Sequence, residues 1–279
     1  GNCDLLLSSS VLAVVRMKKK INFICLLIGF VYSPIFGQTT IPELITDRPD
    51  VTESAVTVPT GSFQVETGFS FQQQKYTEFG ESIENRSVSL FSTLFRYGVF
   101  ENLEFRFGGE YFSNKSYINQ ISYSVHGAND LMIGSKFVVR KDEKLLTNFA
   151  LMFETTLPFG AEELKPQKFE PKFMILAEQE LTEISSLSGN LGIEYASDQD
   201  NYLVDYSLSL GLDVAERIGV FAEIFGQTRN ALIPENFFDC GITYLQTNNL
   251  QVDFSIGTTL LKSKTEWFAG VGISIRFMK

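Results

Sequence analysis

The stretch WFAGVGISIRF, Trp267–Phe277, alternates strictly between apolar residues and residues that are mostly small or polar. One face of an extended chain would carry Trp267, Ala269, Val271, Ile273, Ile275 and Phe277. The other face would carry Phe268, Gly270, Gly272, Ser274 and Arg276. A period of two indicates a β-strand whose two faces lie in different environments.

The same alternation recurs from Thr60 to the end of the chain, in about twelve segments of roughly ten residues. It predicts an all-β protein, a closed antiparallel transmembrane β-barrel of the outer-membrane type with an apolar outside and a polar inside. The facing of the second strand stays open, because both of its faces are apolar. The predicted strands are Gly61–Gln73, Arg86–Tyr97, Leu103–Phe112, Asp130–Arg140, Thr147–Leu157, Lys168–Glu178, Ser186–Tyr195, Tyr202–Val214, Arg217–Gln227, Phe237–Leu245, Leu250–Leu260 and Trp267–Phe277.

The predicted links between these strands alternate between short and mostly longer ones. Outer-membrane barrels have short periplasmic turns, longer outer loops and usually an even strand number, so the alternation favours a barrel over a sandwich. Twelve strands would leave both chain ends in the periplasm.

Composition limits the function classes. The net charge is −10, and residues 1–37 carry +3, so the remainder carries −13, which argues against a nucleic-acid partner. An acidic lumen, acidic outer loops or an ordinary solubilising loop surface all fit this charge. The 26 Phe and 10 Tyr residues fit strands that face lipid.

The first part of the chain is typical of a secretory signal. Met17-Lys18-Lys19-Lys20 precedes a short apolar run, and Ser33–Gly37 ends it, which predicts a signal peptide over residues 17–37. Residues 1–16 are interpreted as an upstream extension outside the mature protein. Cys3 and Cys25 would leave with these parts, and Cys240 alone cannot form an intrachain disulfide.

Four blocks of the sequence resemble a known family. "LITDRPDVTESAVTVPTGSFQVETGFSF" (Leu44–Phe71) is the specific one; "GANDLMIGSKF" (Gly127–Phe137), "ETTLPFG" (Glu154–Gly160) and "WFAGVGISIRF" (Trp267–Phe277) accompany it. Together they resemble the outer-membrane transporter-like β-barrels labelled "MetA-pathway of phenol degradation". The resemblance implies an outer-membrane barrel that passes small hydrophobic or aromatic compounds. The chain departs from the usual aromatic barrel terminus, because Met278 and Lys279 follow Phe277.

Residues suited to catalysis or metal binding are sparse. The single histidine, His126, falls in a predicted outer loop and cannot make a typical zinc site without nearby cysteines. No Walker-type phosphate-binding loop is present in the sequence. We therefore expect no enzyme activity, no cofactor and no metal site; an outer-membrane phospholipase or protease is the enzyme alternative.

Charged residues on the predicted inward faces are the best functional candidates. A lipid-facing Arg or Lys near the membrane midplane costs ~2–4 kcal/mol, so such residues belong in a wet interior. They form either a salt-bridge lattice that only packs the barrel or a polar, mildly cation-preferring path. The lumen-lining candidates are Glu66, Glu104, Arg106, Glu110, Lys136, Glu154, Asp205, Glu223, Asp253 and Arg276, with Asp130, Lys172, Glu194 and Asp213 on the same faces.

Residues 38–59 precede the predicted barrel, which spans 60–279, and lack period-two apolar content. They form either a periplasmic N-terminal segment or a plug in the lumen, with Asp47, Arg48, Asp50 and Glu53 as gating candidates. The leading functional hypothesis is a passive outer-membrane channel for small molecules. The alternative is a non-transporting barrel with a structural or adhesion role. Expected partners are outer-membrane lipid, the barrel assembly machinery and a small-molecule solute, with no nucleic acid.

Overall fold

The computed structural model describes residues 42–119, 121–142, 147–229, 234–261 and 264–278. These residues form a closed barrel of twelve antiparallel strands, in which each strand pairs with its sequence neighbours and β1 also pairs with β12. The strands are β1 (Phe63–Glu78), β2 (Glu81–Phe100), β3 (Leu103–Ile118), β4 (Ile121–Asp142), β5 (Thr147–Thr156), β6 (Glu170–Thr182), β7 (Ser185–Ala196), β8 (Asn201–Ala215), β9 (Ile218–Arg229), β10 (Glu235–Thr247), β11 (Leu250–Thr259) and β12 (Lys264–Phe277). The predicted fold class is confirmed.

The barrel is apolar outside and polar inside. On β12, Trp267, Val271 and Phe277 are exposed, whereas Ser274 and Arg276 are buried. The most deeply buried side chains of the molecule include Arg96, Lys136 and Glu66. This is the reverse of a water-soluble protein, and it is the arrangement that a barrel needs when its outer wall faces lipid.

Bulges in β2 and β4 reverse which residues face the lumen. On β2, Leu90 pairs with outward-facing Phe69, whereas Phe95 pairs with outward-facing Val65. Residues with even numbers therefore face outward on one side of the bulge, and residues with odd numbers face outward on the other. The change lies at Phe91, whose φ of 53° marks a residue inserted into the ladder. This bulge explains why both faces of the second strand carry apolar residues in the sequence.

The predicted strand ends near the outer loops were wrong for β1 to β4, which continue as paired strands well beyond the apolar zone. The predicted link 74–85 is a hairpin with a two-residue turn at Phe79-Gly80, where φ is 48° and 82°, the pattern of a type I′ turn. Cross-strand polar contacts, such as Asn85 Nδ2 to Gln74 Oε1 at 3.1 Å, hold the ladder in place of apolar contacts. His126 accordingly lies in β4, exposed and 6.4 Å from the Tyr111 ring, and not in a loop.

Two rims are defined by the strand order. The terminal rim is the one where β1 begins and β12 ends, and the hairpin rim is the opposite one. Within the described ranges, no helix has the length and apolar content needed to cross a membrane. The predictions for residues 1–41, including the signal peptide, lie outside the described residues.

Candidate functional site

The described residues that precede β1 lie inside the barrel. Residues 42–62, the luminal segment, form no strand, yet Leu44, Ala55 and Val58 are at most 5 % exposed. Of the two placements that the sequence left open, the contacts described below place the described part of 38–59 against the inner wall of the barrel.

Carboxylates of the wall accept hydrogen bonds from the backbone of the luminal segment. The Asp47 N–H donates to Glu66 at 3.0 Å and the Val51 N–H donates to Glu223 at 2.8 Å. Further along, the Ala55 N–H donates to Glu178 at 3.1 Å and the Val58 N–H donates to Glu104 at 2.8 Å. A buried backbone N–H group needs a hydrogen-bond acceptor, and an irregular segment has no neighbouring strand to provide one. The inward glutamates supply these acceptors instead.

An apolar contact adds to these hydrogen bonds. Ala55 is fully buried and clusters with inward side chains of β4, β5 and β6. Those side chains are Val138, Ala150, Met152, Met174 and Leu176. The middle of the luminal segment is therefore packed against one side of the barrel wall.

Asp47 is the centre of a buried ion-pair network. Its Oδ2 lies 3.0 Å from Arg96 Nη1, 2.6 Å from Arg106 Nη1 and 2.9 Å from Lys136 Nζ, on three neighbouring strands. Burial opposes its ionisation, but these three cations outweigh burial and hold the pKa of Asp47 well below its usual value. Its other oxygen accepts from the N–H and hydroxyl of Ser54, at 3.0 and 2.9 Å, which closes a turn of the segment.

Wall carboxylates surround the same cations. Arg96 also lies 2.9 Å from Glu66 and 2.9 Å from Glu104. Arg106 pairs with Glu53 of the luminal segment at 2.8 Å and with Glu154 at 2.7 Å. Buried ion pairs gain little net stability, because desolvation offsets their attraction, but they impose a position. The network therefore fixes where the segment crosses the lumen.

Two further charged residues of the segment meet the opposite wall. Arg48 Nη2 lies 3.2 Å from Asp253 Oδ1 on β11. Its guanidinium passes over Gly68 and Gly272, where an added Cβ would lie within 2.5 Å of it. Asp50 faces Glu223, and burial together with that carboxylate raises the pKa of Asp50 to about 8. Burial likewise raises the pKa of Glu53 to about 8, although Arg106 opposes the shift.

Arg276 fastens the start of the segment to the terminal rim. Its guanidinium donates to the carbonyl of Pro42, to the Glu43 carbonyl at 3.2 Å and to the Asn248 carbonyl at 2.9 Å. These contacts fix the segment where it enters the barrel.

The structure brings most of the predicted candidates together and leaves two apart. The luminal segment contacts the predicted Glu66, Glu104, Arg106, Lys136, Glu223, Asp253 and Arg276, while Glu154 joins through Arg106. Glu110 instead accepts from Asn129 at 3.4 Å, and Asp205 pairs with Lys172 at 2.8 Å. Neither is within hydrogen-bond distance of the segment.

Three charged wall residues of the site, Arg96, Glu178 and Asp239, are not among the candidates predicted from the sequence. Glu178 and Asp239 alternate in phase with other inward residues on β6 and β10, so the pattern was sufficient to find them. The inward orientation of Arg96 is not predictable from the alternation, because the bulge at Phe91 exchanges the inward and outward positions of β2. Asp239 is 1 % exposed and lies beside Glu223 and Asp50.

Cavities lie on both sides of the luminal segment. One of about 410 Å³ opens at the terminal rim and is lined by Arg48, Asp50 and Glu178 among others. Another of about 400 Å³ lies towards the hairpin rim, between Val51 and the start of β6 and β10. The segment thus lies between a cavity at the terminal rim and a cavity towards the hairpin rim. In the described part of the chain no group of three or more His, Cys, Asp or Glu side chains is arranged to hold a metal ion.

Residues 46–277 match the family described as "Putative MetA-pathway of phenol degradation". The chain belongs to this family. The match confirms the resemblance carried by Leu44–Phe71, and it takes in nearly all of the luminal segment together with the barrel. No curated protein matches the chain by sequence.

Solved structures of outer-membrane proteins share the fold. An outer-membrane channel from Pseudomonas putida F1 has a TM-score of 0.61 at 10 % identity, over 80 % of this chain and 98 % of that one. The translocator domain of the autotransporter NalP from Neisseria meningitidis has a TM-score of 0.53 at 11 % identity, over 79 % and 90 %. At such identities the likeness shows a common barrel architecture.

Proposed function

We propose that this protein is an outer-membrane channel through which small molecules move passively, and that the luminal segment controls access from the periplasmic end. The observation that carries the proposal is the segment itself, which lies between two cavities of about 400 Å³ and is tied to the wall by charged side chains. A barrel that served only as a structural wall has no need for cavities on both sides of an internal chain.

The chemistry of the lumen supports movable closure. An apolar plug would be held by packing alone, whereas this one is held mainly by hydrogen bonds and ion pairs that water can replace. Its main apolar cluster is the one around Ala55. A shift of the segment would therefore expose polar wall that water readily covers, and it would leave a hydrated path.

The charges of the wall and the luminal segment together favour cations and neutral solutes over anions. Around Asp47, three cationic side chains face five carboxylates, with Arg96, Arg106 and Lys136 against Asp47, Glu53, Glu66, Glu104 and Glu154. Rings of acidic side chains are the usual device of cation-preferring pores. Small apolar molecules, the class implied by the family label, would pass as uncharged solutes.

Conductance in planar bilayers tests the proposal. The mature protein should show a small conductance, and deletion of residues 39–58 should raise it, because the network around Asp47 is lost. Leu208→Ala on the lipid face is the matched control and should leave conductance unchanged. Heat-modifiability on a gel verifies that each variant forms a barrel.

Two results would separate the alternatives. Zero conductance both before and after the deletion would refute the channel and leave a non-transporting structural or adhesion barrel. A large conductance that the deletion does not change would keep the channel and refute control by the luminal segment.

A further inference from the structure

Three phenylalanine rings form a cluster inside the barrel near the hairpin rim. Phe225 and Phe237 stack at 5.2 Å between centroids with an interplanar angle of 13°, and Phe268 meets Phe225 edge-on at 6.0 Å. Each ring lies two residues from a buried, inward-facing carboxylate on the same strand and therefore shares its face. The carboxylates are Glu223 for Phe225, Asp239 for Phe237 and Glu266 for Phe268. Aromatic side chains turned away from lipid in a polar lumen call for an explanation other than membrane anchoring.

The cavity of about 400 Å³ lies against this cluster. Phe225, Phe237, Met174 and Val51 supply its apolar lining, and Val51 is half exposed. An apolar cavity of roughly 150 Å³ already holds benzene, and small-molecule sites run from about 300 Å³ upward. The cavity is therefore large enough for one small organic molecule with some of its water.

Charged groups on the opposite side give the cavity a negative balance. Lys172 lies 2.8 Å from Asp205 and 3.5 Å from Glu194, so one cation serves two carboxylates. Arg106 is shared by Glu53 and Glu154, both of which line the cavity. Among the residues that line the cavity, Lys172 is cationic and Glu154 and Asp205 are anionic, so the balance is one negative charge even with Glu53 counted as neutral.

A cation already sits on the aromatic cluster. Lys264 Nζ lies 5.3 Å above the Phe237 ring and 2.9 Å from both Glu235 and Glu266. Ring faces carry negative potential and attract ammonium groups within about 6 Å, and carboxylates nearby strengthen that attraction. The wall beside the cavity thus shows the geometry by which an ammonium group is held.

We propose that this cavity binds a small organic cation, an ammonium group carried on an apolar or aromatic body. The apolar body packs against Phe225, Phe237 and Val51, while the ammonium group lies towards Glu154 and Asp205. The site names a solute class for the channel and, for its role in transport, rests on the function proposed above.

Binding to the purified mature protein in detergent tests the site directly. Three probes share one ring and differ in charge: benzyltrimethylammonium, benzyl alcohol and benzoate. Ligand-observed NMR should rank their affinities in that order. Phe237→Leu keeps an apolar side chain but removes the ring against which the body of the probe packs, and it should weaken binding of the ammonium probe on the order of fivefold, as expected for the loss of an aromatic contact of ~1 kcal/mol.

Phe238→Leu is the matched control, because Phe238 is the next residue on β10 and faces outward. It should leave all three affinities unchanged. If Phe237→Leu fails the heat-modifiability check for folding, Phe225→Leu replaces it. Benzoate binding as tightly as the ammonium probe, or full affinity in folded Phe237→Leu and Phe225→Leu, would overturn the proposal.

The same samples keep the two proposals apart. Zero conductance together with selective binding of the ammonium probe would refute the channel and retain the site. A conducting protein that binds the three probes equally would retain the channel and refute the site.

Discussion

Replacement of Asp47 by alanine should release the luminal segment from the wall. The Lys136 ammonium loses both of its short contacts, at 3.0 and 2.9 Å, and among the described residues it keeps Glu53 at 3.7 Å and Glu104 at 3.9 Å. Breaking a buried ion pair costs ~3–5 kcal/mol, because the remaining charge stays desolvated. The carboxylates that remain near Lys136 partly compensate its charge, so the expected cost is at the lower end, about 3 kcal/mol. The equilibrium constant for docking of the segment should fall roughly a hundredfold.

Amide hydrogen exchange, followed by mass spectrometry, measures this equilibrium in the intact barrel. Peptides that cover Val51, Ala55 and Val58 should exchange about a hundredfold faster in Asp47→Ala, because their protection depends on docking of the segment. Peptides from β7 and β8 should be unchanged.

A double-mutant cycle supplies the refutation. In Asp47→Ala/Lys136→Met the stranded cation is removed together with its partner, so the double variant should protect the segment better than Asp47→Ala alone. Additive effects of the two single changes would show that the pair is not coupled, and they would refute the argument from the buried charge.

Three shorter predictions follow from the same geometry. Asp50 stays protonated in the docked segment up to a pKa of about 8, whereas in water it ionises near 3.8, so docking should weaken as the pH rises between these values. Asp50→Asn should reduce this pH dependence of docking, measured as exchange corrected for its intrinsic rate, and the part that remains is expected from Glu53, whose pKa is also raised to about 8; an unchanged dependence would refute the role of Asp50. Leu208→Arg should destabilise the barrel by ~2–4 kcal/mol in heat-modifiability and urea titrations. Ser207 points into the lumen, so Ser207→Arg should leave the barrel folded. Equal stability of the two variants would refute the register. At Gly98 a Cβ would lie 2.3 Å from carbonyl oxygens of the luminal segment, so Gly98→Ala should cost ~1–3 kcal/mol by urea titration, and a neutral effect would contradict the close approach.

The sequence was sufficient to predict the barrel because lipid imposes a strict rule on every spanning strand. Each outward residue in the apolar zone must be apolar, so alternation on β12 and β8 is visible without any structure. The rule does not apply beyond the membrane, where both faces of β1 to β4 are wet. Their extensions carry Gln, Asn and Ser on either face, and such a ladder looks like a loop in a hydrophobicity pattern.

The candidate site was predictable in part for the same reason. On β3 and β9 every second residue faces the lumen, so the alternation alone predicts that Glu104 and Glu223 face inward. The alternation fails wherever a bulge inserts a residue, as it does at Phe91, and the sequence carries no clear signal of a bulge. Which wall charge meets which residue of 42–62 was not predictable, because an irregular segment has no period.

The contacts of Arg48 and Arg276 have a consequence for the order of assembly. Arg48 pairs with a residue 205 positions later in the chain, and Arg276 holds carbonyls more than 230 positions earlier. Residues 42–62, which are synthesised before the strands, therefore dock only after the strands synthesised last have joined the wall. Contacts between such distant residues form late, because the intervening loop must be closed first. In an unfinished barrel the inward glutamates would lack the backbone N–H donors of the segment. Docking of the segment and pairing of β1 with β12 are therefore expected to occur together.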